Sequence, residues 1–411
     1  MKASEEGQLE CVKVLLEFGA SVDLRMAEDE DEDEDDGWFS RKNAIYVASE
    51  KGHFDIVELL LEADPKAELN HPEFRPLYEA CRKGNLEMAK VLVEHGAELQ
   101  DDMNEYGSNV VMEASGSGNA ELVEYLISKG ADVNDENKHN PHALLIACWG
   151  RHLGVMEVLL KHGAYVDATQ MGTDSTEDTS LNIACQRGDM EMIRLLLKYG
   201  ADMNRYNRDG ESPFITAYLQ HNNEAIDLFL ESGMDLNCNE SRWRYQENGQ
   251  YIPIRDKWTP LMYACSNNDV EMIKRLLAYG ADVNVMSQSE PGASYVVTTA
   301  VLASIGNEEI LQVLLDHGAD VDLTDRRGNT ALVSLLTERE EDYVDDDEGF
   351  NPADTEPMSP EILKGVRALL DRGLDIMHKN NMGKTALDYV EEGSEIKALL
   401  IEYRDRKPLL K

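Results

Sequence analysis

The sequence predicts an all-α chain in which about eleven helix-turn-helix units stack as a solenoid, and three observations predict it. First, an apolar residue followed three and four places later by two more recurs along the chain. The instances are Val12/Leu15/Leu16, Val57/Leu60/Leu61, Ala89/Leu92/Val93, Val123/Leu126/Ile127, Met156/Leu159/Leu160, Ile193/Leu196/Leu197, Ile226/Phe229/Leu230, Ile273/Leu276/Leu277, Leu311/Leu314/Leu315, Val366/Leu369/Leu370 and Ile396/Leu399/Leu400. That spacing marks one face of a helix. Second, most of these helices run into a glycine, as at Gly96, Gly130, Gly163, Gly200, Gly280 and Gly318, where left-handed backbone closes a helix. Third, the triplets return about every 33 residues, the period of a repeat array rather than of separate globular cores.

Each unit opens on a first helix. Thr259-Pro260-Leu261 and Ser212-Pro213-Phe214 show its start: a hydroxyl able to cap the helix, then proline at the first helical position, where its missing N–H costs nothing. Three residues after the Leu or Phe comes a small residue, Ala80, Ala147, Ala184, Ala217 or Ala264, which permits close approach of two helices. A polar turn such as Lys83-Gly84-Asn85 or Arg187-Gly188-Asp189 leads to the second helix with its apolar triplet. After the closing glycine, Asp132-Val133-Asn134, Asp202-Met203-Asn204 and Asp282-Val283-Asn284 suit a tight turn projecting from the stack.

These residues resemble the ankyrin repeat family: Thr-Pro-Leu, a small residue, Gly followed by Asn or Asp, then Leu-Leu and Gly-Ala-Asp. The match is strongest near 76, 181, 213, 260 and 331 and partial near 44, 109, 142, 298 and 361. It departs from the family pattern at Tyr78, Asn182, Ile215 and Met262, where His is usual. The resemblance implies an ankyrin-repeat solenoid with short β-hairpin turns, a role in binding proteins, and a docking surface on the concave face and its finger-like turns.

Repeats overrule the two or three domains that 411 residues would otherwise suggest. We expect one array over residues 1–403, followed by a charged tail, 404–411. Ala3-Ser4-Glu5-Glu6-Gly7 aligns with Ala48-Ser49-Glu50-Lys51-Gly52, so the first repeat reads as truncated, as in a fragment or an alternative start. Acidic residues outnumber basic ones 80 to 39, for a formal charge of −41, and the run Glu28–Asp36 accounts for only nine of those acids. An acidic body disfavours nucleic acid and anionic membrane and favours basic protein segments. Cys81, Cys148, Cys185 and Cys265 share one repeat phase, directly after the small helix residue, and read as core residues rather than bridge partners. With no signal peptide and no apolar run of membrane length, the expected location is intracellular and cytoplasmic, with the nucleus also compatible.

Stretched intervals mark where function is added to a repeat protein. The acidic loop 27–37, the segments 168–179 and 285–297, and the finger insertion 238–258 all precede a first helix; the insertion 339–360 lies between two helices of one unit. The insertion 238–258 holds Arg242, Trp243, Arg244, Tyr245, Tyr251, Arg255, Lys257 and Trp258. Trp, Tyr and Arg dominate interface energetics, so these eight are the candidate partner-binding residues. The alternative is that the loop folds back onto its own acidic stack.

No catalytic constellation is legible. His95, His162 and His317 recur at one phase before a closing glycine, which argues for structural use rather than metal ligation. Gly383-Lys384-Thr385 lacks the first glycine of a phosphate loop, since His378 stands there. The sequence therefore predicts no enzyme, no cofactor and no metal. It predicts a protein-interaction scaffold or adaptor, or alternatively the targeting arm of a larger enzyme, channel or ubiquitin-ligase component.

Overall fold

The computed structural model describes residues 1–23, 42–71, 74–99, 108–134, 142–169, 177–207, 211–237, 240–245, 251–285, 300–304, 307–324, 327–341 and 360–406. At 240–245, 251–258, 302–303, 337–341, 360–362 and 406 it describes the backbone alone. The acidic loop 27–37 and most of 168–179, 285–297 and 339–360 lie outside the described residues.

Among the described residues, helices follow one another in sequence as eleven pairs. The first six are α1 (Lys2–Glu5) and α2 (Leu9–Glu17), α3 (Ala44–Lys51) and α4 (Phe54–Ala63), α5 (Pro76–Arg82) and α6 (Leu86–Glu94), α7 (Val110–Ser117) and α8 (Ala120–Ser128), α9 (Ala143–Trp149) and α10 (Leu153–Lys161), α11 (Ser180–Arg187) and α12 (Met190–Lys198). Then come α13 (Pro213–Leu219) and α14 (Asn223–Glu231), α15 (Pro260–Ser266) and α16 (Val270–Ala278), α17 (Ala300–Ser304) and α18 (Glu308–Asp316), α19 (Ala331–Glu341) and α20 (Pro360–Asp371). In the last pair a 3-10 turn, Ala386–Tyr389, replaces the first helix and precedes α21 (Glu395–Arg406). The chain divides into two compact units, residues 1–207 with 219–225, and 208–218 with 226–411.

In the first unit the odd-numbered helices pack side by side as an inner layer, and the even-numbered ones do the same outside them. Each pair has too little surface for a core of its own, so its neighbour supplies the rest. Leu60, Leu92, Leu126, Leu159 and Leu196 are at most 2% exposed. Leu15, their equivalent in the first pair, is 49% exposed. Each such burial is worth about 1.5–3 kcal/mol. The small inner-helix residues Ala80, Ala147, Ala184, Ala217 and Ala264 are all buried, as their phase predicts. In the second unit the last three pairs share one core built around Leu332, Val366, Leu369 and Leu400.

Polar bonds at the helix ends repeat with the same period. Thr259 Oγ1 accepts from the Met262 N–H, Thr179 and Asn182 form a reciprocal cap, and Asn43 and Asn109 cap α3 and α7. In the turn between helices, Asn119 Nδ2 donates to the Gly84 carbonyl of the previous pair at 2.9 Å. A His53 ring nitrogen meets the Glu5 carbonyl, and one of His152 the Gly116 carbonyl, in the same way. Beyond several second helices a further rung links successive pairs. Asn134 donates to the Gly163 carbonyl and accepts from the Tyr165 N–H, each at 2.8 Å. Asn70 and Asn284 make the same two bonds.

One insertion carries strands. Within the finger insertion 238–258, Glu240–Tyr245 (β1) and Tyr251–Trp258 (β2) form an antiparallel ladder with an irregularity between Glu240 and Arg242. β2 leads directly into α15, so the ladder stands just before a first helix.

Two measurements test this packing. Asp167 occupies the rung position and accepts from the Asp202 N–H at 3.0 Å, but a carboxylate has no N–H to offer the equivalent carbonyl, Gly200. Burial pushes the Asp167 carboxyl above the ordinary carboxylate range. A raised folded pKa means that the unfolded chain binds fewer protons between the two pKa values, so stability falls as pH rises through the folded one. Asp167→Asn removes that loss and adds a donor; urea unfolding at pH 7 is expected to show a gain of about 0.5–1.5 kcal/mol. No gain would mean that the amide fails to reach Gly200. For the cysteines, burial pushes the Cys148 and Cys265 thiols up to about 12 and raises Cys81 and Cys185 as well. Cys11 is exposed. In a Cys238→Ser background, a disulfide reagent at pH 8 is expected to titrate Cys11 in the native state and the other four only in denaturant.

Candidate interaction surface

An inner helix of seven or eight residues buries its first, second, fifth and sixth positions. The fourth and seventh, three residues apart, share the face turned away from the outer layer. In the first unit those pairs are Val47/Glu50 on α3, Glu79/Arg82 on α5, Glu113/Gly116 on α7, Ile146/Trp149 on α9 and Ile183/Gln186 on α11. The surface changes from charged to apolar along the stack, with the change at α7 and α9.

At the charged end the groups satisfy one another. Tyr46 Oη donates to Glu79 Oε1 at 3.4 Å, and Arg82 pairs with the other oxygen of Glu79. Lys42 donates to Glu50 at 3.2 Å and lies over the Tyr46 ring. Glu113 is different. Burial raises its pKa above the ordinary carboxylate range, against the lowering effects of a Ser108 hydrogen bond and of Arg82, while the Glu79 charge raises it further. Its surroundings thus supply less compensation than desolvation removes.

At the apolar end Ile146 is half-buried and Trp149 is 41% exposed. The end of α9 is pinned: Arg187 donates to the Cys148 and Trp149 carbonyls at 3.0 and 2.8 Å. Arg151, in left-handed backbone just beyond, pairs with Asp189. Between the two ends Gly116 contributes no side chain, and a Cβ built there would lie 3.4 Å from Ile146 Cγ2. The α7 position between Arg82 and Trp149 is therefore a gap with Glu113 on one side and Ile146 on the other.

The residues singled out from the sequence fall on the ladder. Arg242, Trp243, Arg244 and Tyr245 lie on β1, and Tyr251, Arg255, Lys257 and Trp258 on β2, with Arg242 opposite Ile254 and Tyr245 opposite Tyr251. Their side chains lie outside the described residues. The structure thus brings the eight onto two paired strands. The Glu113–Trp149 surface was not singled out beforehand; aligning the inner helices and asking which type stands at the seventh position would have found it, since Trp149 follows Glu50, Arg82 and Gly116 there.

Of the periodic histidines, His95 and His317 each place Nδ1 2.8 Å from the carbonyl four residues earlier, whereas His162 reaches Glu124 on the neighbouring outer helix at 3.0 Å. Among the described residues no three His, Cys, Asp or Glu side chains gather as a metal site, and no helix is long and apolar enough to cross a membrane.

The family model for ankyrin repeats in three copies matches residues 1–103, 99–170, 169–240 and 239–325. The chain is 30% identical over 339 residues to ankyrin repeat and KH domain-containing protein mask-1 of Caenorhabditis elegans, an alignment covering 72% of this chain and 12% of that protein. It is 29% identical over 291 residues to the human transient receptor potential cation channel subfamily A member 1, covering 62% of this chain and 25% of the channel. The chain thus spans a quarter or less of those two relatives' length. The crystal structure of the human ASB11 ankyrin repeat domain aligns with a TM-score of 0.46 and 28% identity, over 55% of this chain and 95% of that one. The family model covers well over half of the sequence, the paired helices and rung residues carry its pattern, and the chain belongs to the ankyrin repeat family.

Proposed function

We propose that this chain is a non-catalytic scaffold or adaptor that binds polypeptides through the open face of its inner helices and through the 240–258 ladder. The observation that carries the reading is the inner face of the first unit, where Glu50, Glu79, Arg82 and Glu113 are followed by Ile146 and Trp149 at positions that the stack leaves at least partly exposed. Ankyrin repeats bind protein partners, and aromatic and guanidinium groups supply most of the energy in such contacts. The ladder adds a second element. Two paired strands precede α15, and their sequence gathers Arg242, Trp243, Arg244, Tyr245, Tyr251, Arg255, Lys257 and Trp258. We take residues 1–403 as one array acting in the cytoplasm, with basic segments favoured as partners because the chain carries a formal charge of −41.

A second reading has one observation in its favour: the curated relatives are far longer than the aligned stretch, and one is a cation channel. On that reading the array is the targeting or regulatory arm of a larger enzyme, channel or ubiquitin-ligase component. Immunodetection of the native protein separates the two, a species near 46.1 kDa supporting the scaffold and a much larger one the arm.

The scaffold reading predicts that exchanging residues 240–258 for a Gly-Asn turn leaves thermal unfolding of the repeats intact and removes a subset of co-purifying proteins. An unchanged partner set would remove the ladder from the binding surface.

A further inference from the structure

The inner face of the first unit carries one place where a partner's chemistry is specified. On the scaffold reading, we propose that α7 and α9 receive a polypeptide segment in which a lysine or arginine adjoins an apolar residue. The cation sits at Glu113, and the apolar side chain enters the gap at Gly116 against Ile146 and Trp149.

Three independent features converge there. Glu79 is already engaged by Arg82 and Tyr46, whereas Glu113, partly buried on the same face, accepts from Ser108 and forms no ion pair among the described residues. A cation from a partner would supply the missing compensation, and charge-assisted bonds to a half-desolvated carboxylate are stronger than those at an open surface. Gly116 stands three residues on from Glu113 and leaves room for an incoming side chain where the adjacent helices carry Arg82 and Trp149. Trp149, 41% exposed on a helix end whose carbonyls Arg187 holds, offers a large apolar surface. A tryptophan has only two side-chain torsions to fix on docking, a property that makes aromatic residues interface anchors. An acidic partner would bring its charge toward Glu113 and Glu79 and is excluded on the same grounds.

The test pans a phage-displayed library of random 12-residue peptides on the full chain and then measures fluorescein-labelled copies of the enriched peptides by fluorescence polarisation. We expect enriched sequences that pair Lys or Arg with a neighbouring Leu, Ile, Met or Phe. Glu113→Gln is expected to weaken them about fivefold and Trp149→Ala about tenfold. Gly116→Gln fills the gap without touching the core and improves helix propensity, so it is expected to abolish binding while leaving the melting temperature at or above that of the parent. Peptides that lack a cation, or that bind all three variants as tightly as the parent, overturn the proposal. If the peptides instead lose affinity only when residues 240–258 are exchanged for a short turn, the inner-face proposal falls and the scaffold reading stands. If no peptide is enriched on either form, both fall.

Discussion

The structure depends on the fact that a single helix pair has nowhere to bury its own apolar face. Leu60 and its equivalents become inaccessible only because a neighbouring pair lies against them, and Leu15, at the same phase in the first pair, is half-exposed. Each unit's burial is therefore a property of its neighbours. The other recurrent features serve that constraint. Buried alanines let the inner helices approach, glycines reverse the chain in a single residue, and amide and imidazole groups carry hydrogen bonds across several junctions within each unit. Stacking consumes most of each inner helix and leaves the seventh position of α3, α5, α7, α9 and α11 at least partly exposed, so the surface available for recognition is a by-product of the way the core is built.

That division explains why the fold was legible in the sequence and the surface was not. The apolar triplets, Ala80 and Ala147, and the glycines such as Gly96 and Gly130 answer to the same steric demand in every unit, so they recur and can be read by period. Caps are local, and Thr259-Pro260 announces the start of α15 without any knowledge of its neighbours. The seventh positions of the inner helices obey no such demand. Glu50, Arg82, Gly116 and Trp149 differ in charge and size, and only their common place in the stack makes them one surface.

The ladder at 240–258 was hidden for a different reason. Residues 242–245 alternate Arg with Trp and Tyr, and residues 251–258 include a proline, which in a strand suits an edge. The alternation at 242–245 is only four residues long and 251–258 has none, so the composition marks the segment without giving its conformation. The rungs were half-visible. Asn134, Asn204 and Asn284 were read as turn formers, whereas the side chains of Asn134 and Asn284 span to the next pair.

The rungs also make each junction separately observable. The amides of Glu98, Tyr165, Asp202 and Asp320 belong to exposed turns, where hydrogen exchange would ordinarily be fast, yet each is bonded to a side chain of the preceding pair. Exchange at any one of them requires that its own junction open. Four amides thus report on four separate interfaces of the stack, and their exchange rates would rank those junctions by local stability within an array whose global melt averages them together.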